Sequence, residues 1–312
     1  MNRISRRTLI QGTAAGAAIA AFGIGNHAFA ADNPKVTVGS TNYTEQFILA
    51  EMLGFLLKDE GYDVTTEHNI GGTFVIHEAR NHGDIDVHVE YTGSALTILG
   101  KDVSEVREEG DSPAEVADKV YEVVKNDYED EWNAIWLDPL GMNNTYALAM
   151  RRAQAEDLGI EKISDLDGHA GDLVLGASQE FLAREDGLPG VEDLYGISFK
   201  DAHGMESGLM YQALDNEDVD VISAFATDGR IPAMDFVLLE DDKGFFPPYY
   251  GCPVVRGELI EKAPETKDIL NQLAGMLDNE TMAKLNYRVD GDGEEFVDVA
   301  RDWLVEQKLI SE

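Results

Sequence analysis

Asp84-Ile85-Asp86-Val87-His88-Val89-Glu90-Tyr91-Thr92-Gly93 returns, in altered form, as Asp218-Val219-Asp220-Val221-Ile222-Ser223-Ala224-Phe225-Ala226-Thr227-Asp228-Gly229. In each copy an aromatic, Tyr91 or Phe225, follows the second aspartate, and a Thr and a Gly come after it. The first copy alternates apolar and polar residues strictly, the period of a half-buried strand. A chain that spells one strand twice is constrained to build related sheets twice. Each aromatic then lies at or just past the carboxyl end of its strand, where open α/β sheets bind ligands. Matching aromatics on two lobes make a clamp across a cleft. Two core aromatics at strand ends are the plainer alternative.

The rest of the chain keeps the same rhythm. Residues 35–39 read as a strand. A helix follows from about Thr44, with Leu49, Leu53, Leu56 and Leu57 on one face and Gly61 as its stop. A strand is expected at 62–67, and a helix from Gly71-Gly72-Thr73 to about Gly83. Ser112-Pro113-Ala114-Glu115 is a capping box with Pro at the first helical position. Further strands are expected at 145–150, 173–176, 219–225 and 236–239, and two or three helices from Pro264 onward. This order predicts α/β units with mainly parallel sheets, and two such sheets fit 312 residues.

Composition narrows the function. Sixty Asp and Glu stand against 24 Lys and Arg, a net charge of −36. Such a field repels nucleic acid and anionic membrane surfaces, so neither is expected as a partner. The apolar share of 44% still allows a substantial core. The single cysteine, Cys252, excludes an intrachain disulfide and any multi-cysteine metal site. His68, His77, His82 and His88 lack the helical i, i+4 ligand spacing, so no zinc site is expected. Asp290-Gly291-Asp292-Gly293-Glu294 lacks EF-hand spacing and reads as a turn capping the last helix rather than a calcium loop. No cofactor is expected.

The acidity resembles that of proteins from salt-loving organisms, where solvent ions screen self-repulsion; at 1 M salt the Debye length is about 3 Å. An ordinary acidic surface is the alternative. The melting temperature should therefore climb between low salt and molar KCl. A flat profile would remove the salt-adapted reading and leave the fold untouched.

Residues 1–30 carry Arg3, Arg6 and Arg7 and no acid. Ser5-Arg6-Arg7-Thr8-Leu9-Ile10 precedes a weakly apolar Ala/Gly stretch, Gly12 to Gly25, and Ala28-Phe29-Ala30 follows it. This resembles a twin-arginine export signal cut after a small-x-small site; an uncleaved anchor is the alternative. The expected location is periplasmic or extracellular.

A series of motifs then appears in order: Ser40-Thr41-Asn42-Tyr43-Thr44-Glu45-Gln46, Gly72-Thr73, Glu90-Tyr91-Thr92-Gly93, Asn143-Asn144-Thr145-Tyr146, Arg184-Glu185-Asp186-Gly187, Thr227-Asp228-Gly229 and Phe246-Pro247-Pro248-Tyr249. Together they resemble the glycine betaine/choline substrate-binding proteins of ABC-type osmoprotectant importers, over about residues 35–310. The resemblance implies an α/β, two-lobe class II periplasmic-binding-protein fold with a ligand cleft. The chain would cross near 139–142 and near 248–252. Residues 31–140 plus 252–312 would form one lobe, and 141–251 the other. It also implies an aromatic cage for a quaternary ammonium at Tyr91, Tyr146, Phe225 and Tyr249, with Phe225 where tyrosine is usual. Arg184 matches a family arginine that meets the betaine carboxylate. Thr41 stands where a lysine is common, and Ser94 replaces a threonine. Gln46 and Asn144 match polar cleft positions of choline-binding relatives. The implied partners are the small ligand and a membrane permease, and the chain is expected to act as a monomer.

The chemistry suits those residue types. A trimethylammonium group offers no conventional hydrogen-bond donor, and electron-rich ring faces attract it by roughly 0.5–2 kcal/mol per contact. Phe keeps the ring face and loses only the hydroxyl. Arg pairs both carboxylate oxygens with its planar fork. Without the resemblance, Tyr146 and Tyr249 read equally as core tyrosines, and Arg184 as a surface ion-pair residue. A binder without chemistry is the expectation. A secreted enzyme on the same scaffold is the alternative, although no Gly-x-Ser-x-Gly and no His-Glu-x-x-His occurs.

Overall fold

The computed structural model describes residues 35–184 and 187–311. The export-signal expectation for 1–30 lies outside them. Among the described residues the strands are β1 (Lys35–Gly39), β2 (Asp63–Glu67), β3 (Val87–Tyr91), β4 (Ala134–Trp136), β5 (Tyr146–Arg151), β6 (Val174–Ala177), β7 (Asp201–Gly204), β8 (Val221–Phe225), β9 (Phe236–Leu239) and β10 (Gly251–Arg256). They form two sheets, ordered β2-β1-β3-β10-β4 and β7-β6-β8-β5-β9. Each sheet with its helices makes one lobe, and the two orders are one topology used twice. The echoed segments become β3 and β8, in the same central place of each sheet.

The sheets are mixed rather than mainly parallel. β1 pairs parallel with β2 and β3, while β10 runs antiparallel to β3 and β4. β6 pairs parallel with β7 and β8, while β5 runs antiparallel to β8 and β9. The cause is the crossing of the chain. β5 and β10 are the strands by which it enters a sheet from the other lobe, so they start where β3 and β8 end. Gly251, first in β10, faces Tyr91, and Tyr146, first in β5, faces Phe225. The two crossing segments lie side by side, with a bridge between Asn143 and Tyr250 and a 3.0 Å bond from the Asn144 N–H to the Tyr249 carbonyl.

The expectation of a half-buried β3 is also corrected, because the strand is buried on both faces. Its polar residues are therefore inside the lobe, where they need partners. Asp86 accepts from the Thr37 N–H at 2.9 Å and from Arg256 Nη2 at 2.5 Å and Nε at 3.2 Å. Asp220 repeats this in the second lobe. It accepts from the Val174 N–H at 2.9 Å and from Arg151 Nη2 at 3.2 Å. Each echoed aspartate thus ties the neighbouring parallel strand to the arginine that ends the crossing strand. The sequence echo is the trace of two equivalent ion pairs.

His88 and Glu90 of β3, and His77 and Arg80 of the helix Thr73–His82, are buried, and burial holds both histidines below their usual range, His77 at about 4. Burial pushes the Glu90 carboxyl up to about 7. Among the described residues no three metal-ligating side chains come together.

Helices form where the apolar spacing places them. The helix Thr44–Asp59 buries Ile48, Leu49, Met52, Leu53, Leu56 and Leu57 almost completely, because β-strands cover one side and the C-terminal helix Phe296–Glu306 the other. Each such side chain contributes about 1.5–3 kcal/mol. The helix Pro113–Trp132 starts with the expected capping box at Ser112 and Glu115. The Asp290–Glu294 turn closes the helix Asn279–Asp290, and Glu294 pairs with Arg288 at 2.5 Å.

Candidate functional site

The first βα turn, the end of β8 and the helix Asn279–Asp290 meet around a cavity of roughly 300 Å³. The first lobe contributes Tyr43, Thr44 and Glu45, together with Asn286 and Asp290. The second lobe contributes Asn144, Phe225 and the Thr227-Asp228-Gly229 turn. A neighbouring cavity of roughly 240 Å³ lies in the second lobe between Tyr146, Phe225, Ser178, Tyr211, Asp228 and Arg230. Phe225 and Asp228 belong to both.

Aromatic rings flank these spaces from both lobes. Tyr146 and Phe225 stack, with centroids 4.8 Å apart and planes 29° apart, because β5 and β8 hold them side by side. Tyr43 stacks on Tyr91 at 6.5 Å. Phe225 is 44% exposed and Tyr43 41%, so both residues are partly open to solvent. Tyr91 is buried behind Tyr43. The Tyr249 ring packs against the Gly93 backbone, where a Cβ would come within 2.7 Å of it. Glycine in the Tyr91-Thr92-Gly93 motif is what lets that ring approach.

Glu45 organises the first cavity. Its carboxylate receives the Tyr91 hydroxyl, Asn144 Nδ2 at 3.0 Å and Asn286 Nδ2 at 3.1 Å. Asn286 also donates to the Thr227 carbonyl at 2.9 Å, which links the lobes again. Burial raises the Glu45 carboxyl above the usual range, and hydrogen bonds, first from Thr227 and then from Tyr91, Asn286 and Asn144, oppose the rise. Burial and the Glu45 charge hold the Tyr91 phenol far above its usual range, so it stays a donor. Asp228 is held by Arg230 in a two-pronged pair at 2.9 and 2.5 Å, and Arg230 lies 3.8 Å from the Tyr211 ring centre.

The residues named from sequence are distributed as follows. Asn144 and Phe225 line the first cavity, and Tyr146 and Phe225 the second. Thr41 and Gln46 are buried in the first βα turn and helix, and Thr41 Oγ1 and Gln46 Oε1 lack partners. Ser94 is half-buried in the helix Thr92–Ile98. Arg184 is exposed at the bend after the helix Gln179–Ala183 and lines neither cavity. Sequence reasoning missed Glu45, Asn286, Asp290 and Arg230 as wall residues. Glu45 sits inside a motif, but an acid in a first helical turn is ordinary. Asn286 and Asp290 share a helix face four residues apart, a weak signal.

Residues 34–306 match the family described as the substrate binding domain of ABC-type glycine betaine transport systems. The chain belongs to this family. Its betaine-transport relatives include the glycine-betaine-binding protein of Pseudomonas aeruginosa, 36% identical, with 88% of each chain covered. The ergothioneine transport permease/ergothioneine binding protein EgtU of Helicobacter pylori is 35% identical over 88% of this chain. This chain spans 48% of that relative's length. Among solved structures, a glycine betaine/carnitine/choline ABC transporter protein superposes with a TM-score of 0.82 at 31% identity, over 88% of this chain and all of that one. The two-lobe binding-protein fold that the resemblance implied is therefore the fold of this family member. Among the described residues no helix is long and apolar enough to cross a membrane.

Proposed function

We propose that the protein binds glycine betaine or a closely related quaternary ammonium osmolyte outside the cytoplasmic membrane and hands it to an ABC permease, without altering it. The observation that carries this reading is that one ring from each lobe, Tyr43 stacked on Tyr91 and Phe225 stacked on Tyr146, lines an acid-walled cleft. Rings attract the cation, and the carboxylates favour its charge. Lobe contacts with the ligand form only on closure, so ligand shifts the population toward the closed state. The lobe boundaries we propose are 31–140 with 252–312, and 141–251. Residues 1–30 act as a twin-arginine export signal, and the mature chain works as a monomer. A preference for choline or carnitine is the second reading, favoured by the acceptor-rich walls that Glu45 and Asn144 supply.

Calorimetric titration with betaine, choline, carnitine and proline betaine in molar salt tests the function, with mass spectrometry of the recovered ligand. Ligand converted to another compound would point to an enzyme. Tyr146→Ala should weaken betaine binding by roughly 1–3 kcal/mol, since it removes one stacked ring and opens the pocket. Tyr91→Ala and Tyr249→Ala should act in the same direction, and Phe225→Tyr should be near neutral. Parent-like binding by all three alanine variants would place the cage elsewhere.

A further inference from the structure

Glu45 is 3% exposed, yet it lines a cavity that opens to solvent. Among the described residues, the hydrogen bonds its carboxylate makes are acceptances, from Thr227, Tyr91, Asn286 and Asn144. Both asparagine amides are fixed in orientation by this, because each turns its NH₂ toward an acceptor. Their Oδ1 atoms are left unpartnered, and Asn286 is itself only 6% exposed. A group that only accepts is arranged for its ionised form. Among the described residues, the groups that hydrogen-bond to it are all neutral. The other acids on the wall are engaged: Asp228 by Arg230, and Asp290 by the Thr44 hydroxyl at 2.6 Å. A position in the first turn of the helix Thr44–Asp59 favours an anion there, but only modestly. A buried carboxylate held by neutral donors alone is costly unless a cation arrives.

We propose that the Glu45 carboxylate is the fixed counter-ion for the ammonium of the ligand. This rests on the quaternary ammonium reading and deepens it. Tyr91, Asn144 and Asn286 position the carboxylate, and the contact with Asn144 ties its placement to the second lobe. Cation–π walls and one oriented negative charge then select a permanent cation over a neutral group of the same shape.

The test compares choline with its neutral carbon isostere, in which carbon replaces the quaternary nitrogen, by calorimetry in one buffer. The parent should bind choline at least about tenfold more tightly than the isostere, the order expected for a charge pair in a desolvated site. Glu45→Gln should lose most of that ratio while still binding both weakly, and Glu45→Asp should keep the ratio at reduced affinity. Melting curves without ligand show whether each variant folds. The parent arm and Glu45→Asp decide the matter should Glu45→Gln not fold. A parent that binds choline and the isostere equally overturns the counter-ion role. So does a folded Glu45→Gln with an unchanged ratio, even though the transport reading would stand. A parent that binds none of betaine, choline and carnitine overturns the transport reading, and this role with it.

Discussion

Asp86→Ala should lower folding stability by about 3–5 kcal/mol, the range for breaking one side of a largely buried ion pair. The substitution strips Arg256 of its carboxylate and leaves the Thr37 N–H without its acceptor. Arg256 ends β10, the strand that returns the chain to the first lobe, so the loss falls on the join between β1, β3 and β10. Asp220→Ala removes the equivalent carboxylate in the second lobe and should cost less. Arg151 there keeps the Val219 carbonyl at 2.6 Å, together with the Leu214 carbonyl and Gln154. Denaturant unfolding of both variants measures the difference. An Asp86→Ala protein within about 1 kcal/mol of the parent would show that the pair is not a main tie of the lobe.

The second large effect is expected on binding. Arg184→Ala should reduce betaine affinity by about 2–5 kcal/mol, and choline affinity much less, since only betaine carries a carboxylate. Arg184 is exposed on the second lobe, so its full effect requires closure to desolvate the contact. Arg184→Lys should recover part of the loss, because an ammonium lacks the two-pronged fork. Titration of the parent and both variants with the two ligands gives the answer. Equal losses for betaine and choline would mark Arg184 as a residue of lobe closure rather than a carboxylate clamp.

Much of the fold was legible because its signals are local. β1 falls where alternation and β-branched content place it, β9 where a short apolar run does, and Ser112 caps its helix as its spacing requires. β10 was not legible: Pro253 lies within it, and proline has no N–H for a ladder. β4 and β7 are too short for a period to show. Tyr146 and Phe225 could be named from motifs, but their stacking depends on the β5–β8 register.

By itself, the sequence determined most of the alternation of strands and helices, the doubled strand and the aromatic at each strand end. These follow from periods of 2 and 3.6 residues and from turn chemistry, which act over a few neighbours. Only the tertiary structure decided that β3 is buried on both faces, that the two echoed aspartates are ion-paired ties, and that Glu45 faces a cleft with neutral donors around it. Asn286, which holds Glu45, lies 241 positions away along the chain. No local pattern reports such a contact, because burial and partnership are set by which distant segments the packing brings together.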